Sequence, residues 1–197
     1  MSEVIERKFY LKEFKAISHA ISSYEDLTLL INHIVEGLSR TFKLKGCCIM
    51  LFDEREKQLF HVGSHGISEA YIAKGPVVVD EKYSNFLKGE SIFIEDLRND
   101  PRVQYPEEAL KENIISMVSL PIKYRNSVIG LVRLYHSSTI KLNEEDIDSI
   151  LVLAQQLGLV IENNGLRNFL EEVKGGISRL PLHMLEGLYN ENRSTRY

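Results

Sequence analysis

The residue in this chain most in need of a chemical explanation is Arg133. It stands in the middle of the apolar run Ile-Gly-Leu-Val-Arg-Leu-Tyr, residues 129–135. A guanidinium inside such a run is expensive to bury without a partner. A nearby carboxylate or exposure at the edge of the fold would each account for it. His61 and His65 are the next candidates, but on a strand residues four apart lie about 13 Å apart, too far for one metal ion. No metal set is assigned. Cys47 and Cys48 are adjacent, so on a strand they point to opposite faces and do not pair with each other. There is no Cys-x-x-Cys, no Gly-x-Ser-x-Gly, no phosphate-binding Gly-rich loop ending in Lys-Ser/Thr and no His-Glu-x-x-His. Acid pairs fall in turns and helix starts, where solvation explains them. The expectation is therefore a protein without catalytic residues.

Composition agrees with a globular reading. The 197 residues are 44% hydrophobic and 26% charged, with a formal charge of −4. This excludes a disulfide scaffold and a disordered chain. Neither half is strongly basic, so nucleic acid is not an expected partner. The longest apolar runs are far below the roughly 20 residues a membrane helix needs, and the N-terminus has no signal-peptide core. A cytoplasmic domain is the expectation, with no membrane partner; the glycosylation-like Asn192-Arg193-Ser194 is then incidental.

These residues must be held by recognisable elements. Apolar positions Val4, Ile5, Phe9, Phe14, Ile17 and Ile21 predict a first helix over residues 3–21. Ser22 and Ser23 stop it, and Ser23 with Asp26 makes a capping-box-like start for a second helix ending near Phe42. Strands follow over 47–52 and 59–64, joined by the polar turn 53–57. Then come helical turns at 68–74, an edge strand at 76–79, a short helix at 81–87 closed by Gly89, and a strand at 92–94. A helix beginning at Pro106 and reaching 113 precedes the last two strands, 117–123 and 128–136. Asn143 caps a final helix that runs to residue 174, where Gly175-Gly176 ends it. It is roughly 48 Å long, more than one domain of this size needs. Gly158 and Gly165, seven residues apart on it, suit the close approach of a second backbone. Pro181 opens a short amphipathic tail.

The order of these pieces resembles the GAF domain family of small-molecule sensors. The resemblance covers about residues 27–164. It rests on Gly46-Cys47-Cys48-Ile49-Met50-Leu51-Phe52-Asp53 and Gly89-Glu90-Ser91-Ile92-Phe93-Ile94-Glu95-Asp96. Asp100-Pro101-Arg102, Ser119-Leu120-Pro121-Ile122, Val128-Ile129-Gly130-Leu131-Val132 and Asn143-Glu144-Glu145-Asp146 follow in the family's sequence. It implies an α+β fold: an antiparallel sheet of about six strands, terminal helices on one face, and a ligand pocket under short helices on the other. The corresponding division is residues 1–22 as a dimerisation helix, 23–166 as the sensor domain, and 167–197 as helix end and tail. The resemblance also implies a homodimer built through the terminal helices. No output domain follows in this sequence, so the expectation is either a stand-alone sensor, with a separate output protein as a candidate partner, or a fragment of a longer chain.

Which ligand the family resemblance implies is narrowed by departures. Cyclic-nucleotide-binding members carry Asn-Lys after the last strand and Phe before the acidic pair; here His136-Ser137 and Leu142 stand instead. Bilin-binding members need a lid Cys, and sulfoxide-reducing members several loop Cys, which this chain lacks. The cofactor is left unknown. The family's pocket-facing position on the last strand falls on Arg133, which implies a small anionic ligand. His65 stands where members present a side chain to the ligand. Tyr83 is a candidate stacking group, and Tyr105, Glu108 and Ser116 belong to the lid and the strand after it. The alternative is a dimerisation or scaffold module with a collapsed pocket.

Overall fold

The computed structural model describes residues 10–139 and 142–178. The chain divides into two compact units, Met1–Ile161 and Glu162–Tyr197. In the first unit, helices α1 (Leu11–Ser23) and α2 (Leu27–Phe42) lead into strands β1 (Gly46–Asp53) and β2 (Gln58–His65). A lid region follows: α3 (Glu69–Ile72), the short strand β3 (Val77–Val78), a 3-10 turn at Glu81–Tyr83 running into α4 (Ser84–Leu87), β4 (Ile92–Ile94) and α5 (Pro106–Lys111). Strands β5 (Ser116–Tyr124) and β6 (Ser127–His136) precede α6 (Glu144–Ser178). The sheet has the order β3-β2-β1-β6-β5-β4 with every pairing antiparallel. This is the α+β architecture expected from the sequence.

Two apolar layers sandwich the sheet. Alternation along each strand decides which layer a side chain enters. On one face Cys47 and Ile49 of β1, Val118 and Leu120 of β5 and Val132 and Leu134 of β6 pack with α1, α2 and Ile150, Leu153, Ala154 and Leu157 of α6. On the other, Cys48, Met50, Met117, Leu131 and Tyr135 pack with the lid residues Tyr71, Tyr83, Phe86, Leu97 and Ala109. The adjacent cysteines thus serve opposite layers, as their strand position requires.

Several local expectations are corrected. The second helix is capped by Asp26 itself, whose carboxylate accepts from the Leu29 N–H at 2.9 Å. Ser23 makes no such cap: Ser22 and Ser23 close α1, as expected, each hydroxyl donating to the His19 carbonyl oxygen. Gly175-Gly176 do not end the last helix, which continues to Ser178. Helical hydrogen bonding outweighs the weak propensity of two glycines. The expected start of the first helix, residues 3–9, and the amphipathic tail after Pro181 lie outside the described residues.

Gly158 has a use inside the domain. A Cβ there would lie 2.2 Å from the Lys123 carbonyl oxygen, so the glycine lets α6 cross the end of β5 at backbone contact. The approach read from the sequence as one between two chains is made here within one domain. A Cβ at Gly165 would meet nothing within 4 Å. Gly158→Ala should therefore destabilise the protein by about 2 kcal/mol or more through overpacking. Gly165→Ala should be neutral or stabilising by up to about 1 kcal/mol through helix propensity. Urea unfolding of the two variants checks the contrast; equal effects would refute it.

Candidate functional site

The site is organised by Arg133. It pairs with Cys48 of β1 and Ser119 of β5 across the middle of the sheet, and its side chain enters the lid-side layer. It is only 3% exposed. Its Nε donates to Ser119 Oγ at 3.1 Å, while Nη2 is buried with no hydrogen-bond partner. No carboxylate among the described residues pairs with it, so the structural salt bridge that could have explained its position is not made. Its surroundings are phenolic and apolar. Tyr83, Leu97, Val103, Tyr105 and Met117 share its cavity, together with Tyr71 and Lys74 of the α3 segment.

Lys74 is the second cation of this cavity. Its Nζ donates to the Tyr71 carbonyl oxygen at 3.0 Å and lies 3.8 Å from the centroid of the Tyr71 ring. The Tyr105 ring is 5.8 Å away on another side. Partial burial, reinforced by the positive charge of Arg133, holds the ammonium down to about 8. Tyr71, pushed up to about 12 by burial, stands edge-on to Tyr135 at 5.7 Å. The Tyr135 hydroxyl is 3.5 Å from Cys48 Sγ. Burial also pushes the Cys48 thiol up, more than Arg133 pulls it down. That thiol is not poised as a nucleophile.

Tyr71 and Lys74 also wall a second cavity, with Met50, His61, Ile67 and Ile72 around it. The two enclose about 10 and 20 Å³, each on the scale of one water. Polar ties hold the lid over them. Gln104 pairs with Val78 as a strand would, Oε1 accepting from its N–H at 2.9 Å and Nε2 donating to its carbonyl oxygen at 2.6 Å. Tyr105 donates to the Pro76 carbonyl oxygen at 2.9 Å. Glu112, just after α5, accepts from the Ser68 N–H and hydroxyl at the start of α3 and from Lys45 Nζ at 3.0 Å.

Of the residues singled out in the sequence, Arg133, Tyr83 and Tyr105 come together around one cavity. His65, Glu108 and Ser116 do not line it. A bulge in β2 explains His65: Ile49 pairs with Gly63 but Met50 with His61, so Val62 is an extra residue. The bulge shifts the alternation by one, and His65 comes to pair with Cys47 on the helix-side register, where it is exposed. Glu108 is half-buried on α5, outside both cavities. Ser116 is fully buried and donates to the Ser138 carbonyl oxygen at 2.6 Å, fastening the end of β6. Lys74 and Tyr71 escaped notice in the sequence. Their three-residue spacing on a helical turn, just before Gly75, was the available signal.

A polar-centred cavity between an antiparallel sheet and a lid of short helices defines the class of this α+β domain. The chain belongs to the GAF domain family, whose model matches residues 26–161. The fold recurs in the GAF domain of a phosphoenolpyruvate-protein phosphotransferase from Coxiella burnetii, at TM-score 0.71 and 16% identity over 80% of this chain and 95% of that one. A methyl-accepting chemotaxis protein gives 0.61 and 23% over 76% and 97%. The free methionine-R-sulfoxide reductase of Neisseria meningitidis, solved with its substrate, gives 0.64 and 16% over 81% and 95%. At these identities the likeness is one of fold. No curated protein sequence matches the chain. Among the described residues no helix is long and apolar enough to cross a membrane.

The depressed Lys74 predicts a pH dependence. Below about pH 8 folded and unfolded chains both hold this proton, and the folded one bears the full penalty. Between about 8 and the ordinary lysine value near 10.4 the unfolded chain binds more protons, so the Lys74 contribution to stability rises with pH. Lys74→Met should be more stable than the parent by about 1 kcal/mol at pH 7, after discounting for solvent screening of a half-buried group. The difference should shrink towards pH 10. Urea midpoints at pH 7, 8.5 and 10 measure it; a constant or growing difference would contradict the assignment.

Proposed function

We propose that this GAF domain is a non-catalytic, cytoplasmic signal sensor that binds a small anionic metabolite at Arg133 and dimerises through its terminal helices. One observation carries the ligand reading. Arg133 Nη2 is a buried cationic donor with no hydrogen-bond partner among the described residues, and Arg133 lines a cavity together with a second cation, Lys74. An uncompensated buried charge costs several kcal/mol, and an anion with two acceptor oxygens would relieve it. The raised Cys48 thiol supports the absence of nucleophilic chemistry. The dimer reading is supported by apolar side chains left exposed on α6, Val152, Leu159 and Leu166 at seven-residue intervals with Leu170 beyond. A second reading, a dimerisation or scaffold module with a closed pocket, is favoured by the small volume of both cavities.

The two readings differ in what Arg133→Met should do. If Arg133 is kept for a ligand, removing its charge from the empty site should stabilise the protein by about 1–3 kcal/mol and abolish any thermal shift by acidic metabolites. If the arginine is structural, the variant should be destabilised and no metabolite should shift the parent. For the dimer, sedimentation at tens of micromolar should show two chains, with Leu159→Glu shifting the population to monomer. A monomeric parent protein would remove the dimer reading.

A further inference from the structure

Another buried polar atom has no hydrogen-bond partner among the described residues, and its residue lines the other cavity. His61 Nε2 is enclosed without a hydrogen bond, beside Met50, Ile67 and Ile72. The sheet register relates it to Arg133. Arg133 faces Cys48 across β6 and β1; Met50, two residues along β1 on the same face, faces His61 across β1 and β2. Two strand spacings of about 4.8 Å and two residue rises of about 3.4 Å place the two Cα atoms about 12 Å apart on the pocket face. Tyr71 and Lys74 belong to both cavity walls, so the cavities are neighbours separated by one lid turn. Between the two side chains lie Cys48 and Met50 of β1, and Tyr71, Ile72, Lys74 and Tyr135 border the same space.

We propose, resting on the anionic-ligand reading above, that the two cavities are the ends of one site for a short-chain monocarboxylic acid bearing a neutral hydrogen-bonding group at its far end. The carboxylate meets Arg133, with Lys74 beside it. The hydrocarbon middle lies along Met50 and Ile72, and a hydroxyl or carbonyl meets His61 Nε2. Burial, aided by the Lys74 charge, keeps the imidazole on its neutral side. A neutral imidazole can donate or accept one hydrogen bond, which a hydroxyl satisfies. A second carboxylate at this end would have to share Lys74 with the first and would be desolvated against Met50, Ile67 and Ile72, so dicarboxylates are disfavoured. Entry requires the α3 segment to move, because the present cavities each hold about one water.

Calorimetric titration of the full chain at pH 7.5 tests this with ω-hydroxy acids from 4-hydroxybutanoate to 8-hydroxyoctanoate. Each is compared with the methyl-terminated acid of equal heavy-atom number, as 6-hydroxyhexanoate with heptanoate, and adipate is the dicarboxylate control. One hydroxy acid of intermediate length should bind best, about tenfold tighter than its methyl-terminated partner. His61→Phe should erase that preference while leaving binding of the methyl-terminated acid, and Arg133→Met should abolish both. Acids that bind through Arg133 with no hydroxyl preference, or with adipate tightest, would overturn this inference and leave the anionic-ligand reading standing. Failure of every acid to bind the parent protein would overturn both. The preference is read on the parent protein alone, so a variant that misfolds does not remove the test.

Discussion

A buried positive charge with no counter-ion among the described residues organises one whole face of this domain. Arg133 sits on the central strand pair, and a guanidinium cannot shed its proton to escape desolvation. The fold surrounds it with groups that offer lone pairs or ring faces in place of carboxylates: Ser119 on one neighbouring strand, Cys48 on the other, Tyr71, Tyr83 and Tyr105 from the lid. Only Nε is paired by this shell. The residual demand of Nη2 lies on the lid face, while Val118, Leu120 and Ile122 of β5 and Val132 and Leu134 of β6 enter the helix-side layer. A buried donor left unpaired costs stability, and here that cost falls at the middle of the sheet.

The lid is held differently from the core. Its elements are too short to stand alone: α3 and α4 are single turns and β3 has two residues. Side-chain ties supply what regular hydrogen bonding cannot. Gln104 acts as a strand neighbour for Val78, Glu112 joins the end of α5 to the cap of α3, and Arg102 links Asp100 to the Phe93 carbonyl oxygen. Each tie is local, partly exposed and individually modest, of order 1 kcal/mol. The Glu112 tie also reaches Lys45 at the junction of α2 and β1, so lid position and the helix-side elements share one contact.

The fold was largely legible in the sequence because its signals are periodic. The helical stripe of α2 and the alternation of β1, β5 and β6 state which residues face which layer. Arg133 could be singled out for the same reason, as a charge that violates its strand's pattern. The elements that were misjudged depend on non-periodic facts. The roles of Asp26 and Ser23 as caps differ by hydrogen-bond geometry alone. The Val62 bulge is one extra residue, yet it exchanges the faces of everything after it, and composition gives no sign of it. Gly158 illustrates the same limit, since its meaning is fixed by the backbone of Lys123, 35 residues earlier in the chain. Lys74 and Tyr71 become site residues only when α3 folds back over β6, a long-range contact that local spacing does not encode.

The strand that carries the orphaned charge also bears on how occupancy could be felt elsewhere. Val132 and Leu134, the immediate neighbours of Arg133, point into the layer formed by α1, α2 and α6. Alternation makes β6 a member of both layers at consecutive residues, so movement of its backbone is registered on each side of the sheet. Interiors are close-packed and transmit such displacements rather than absorbing them. Gly158 tightens the same link, because α6 touches the backbone at the end of β5, the strand paired with β6 along its whole length. An anion drawn to Arg133 would therefore act on the strand pair against which the closing helix rests. The charge that is costly to an empty site stands one residue from the contacts through which a filled one could be sensed.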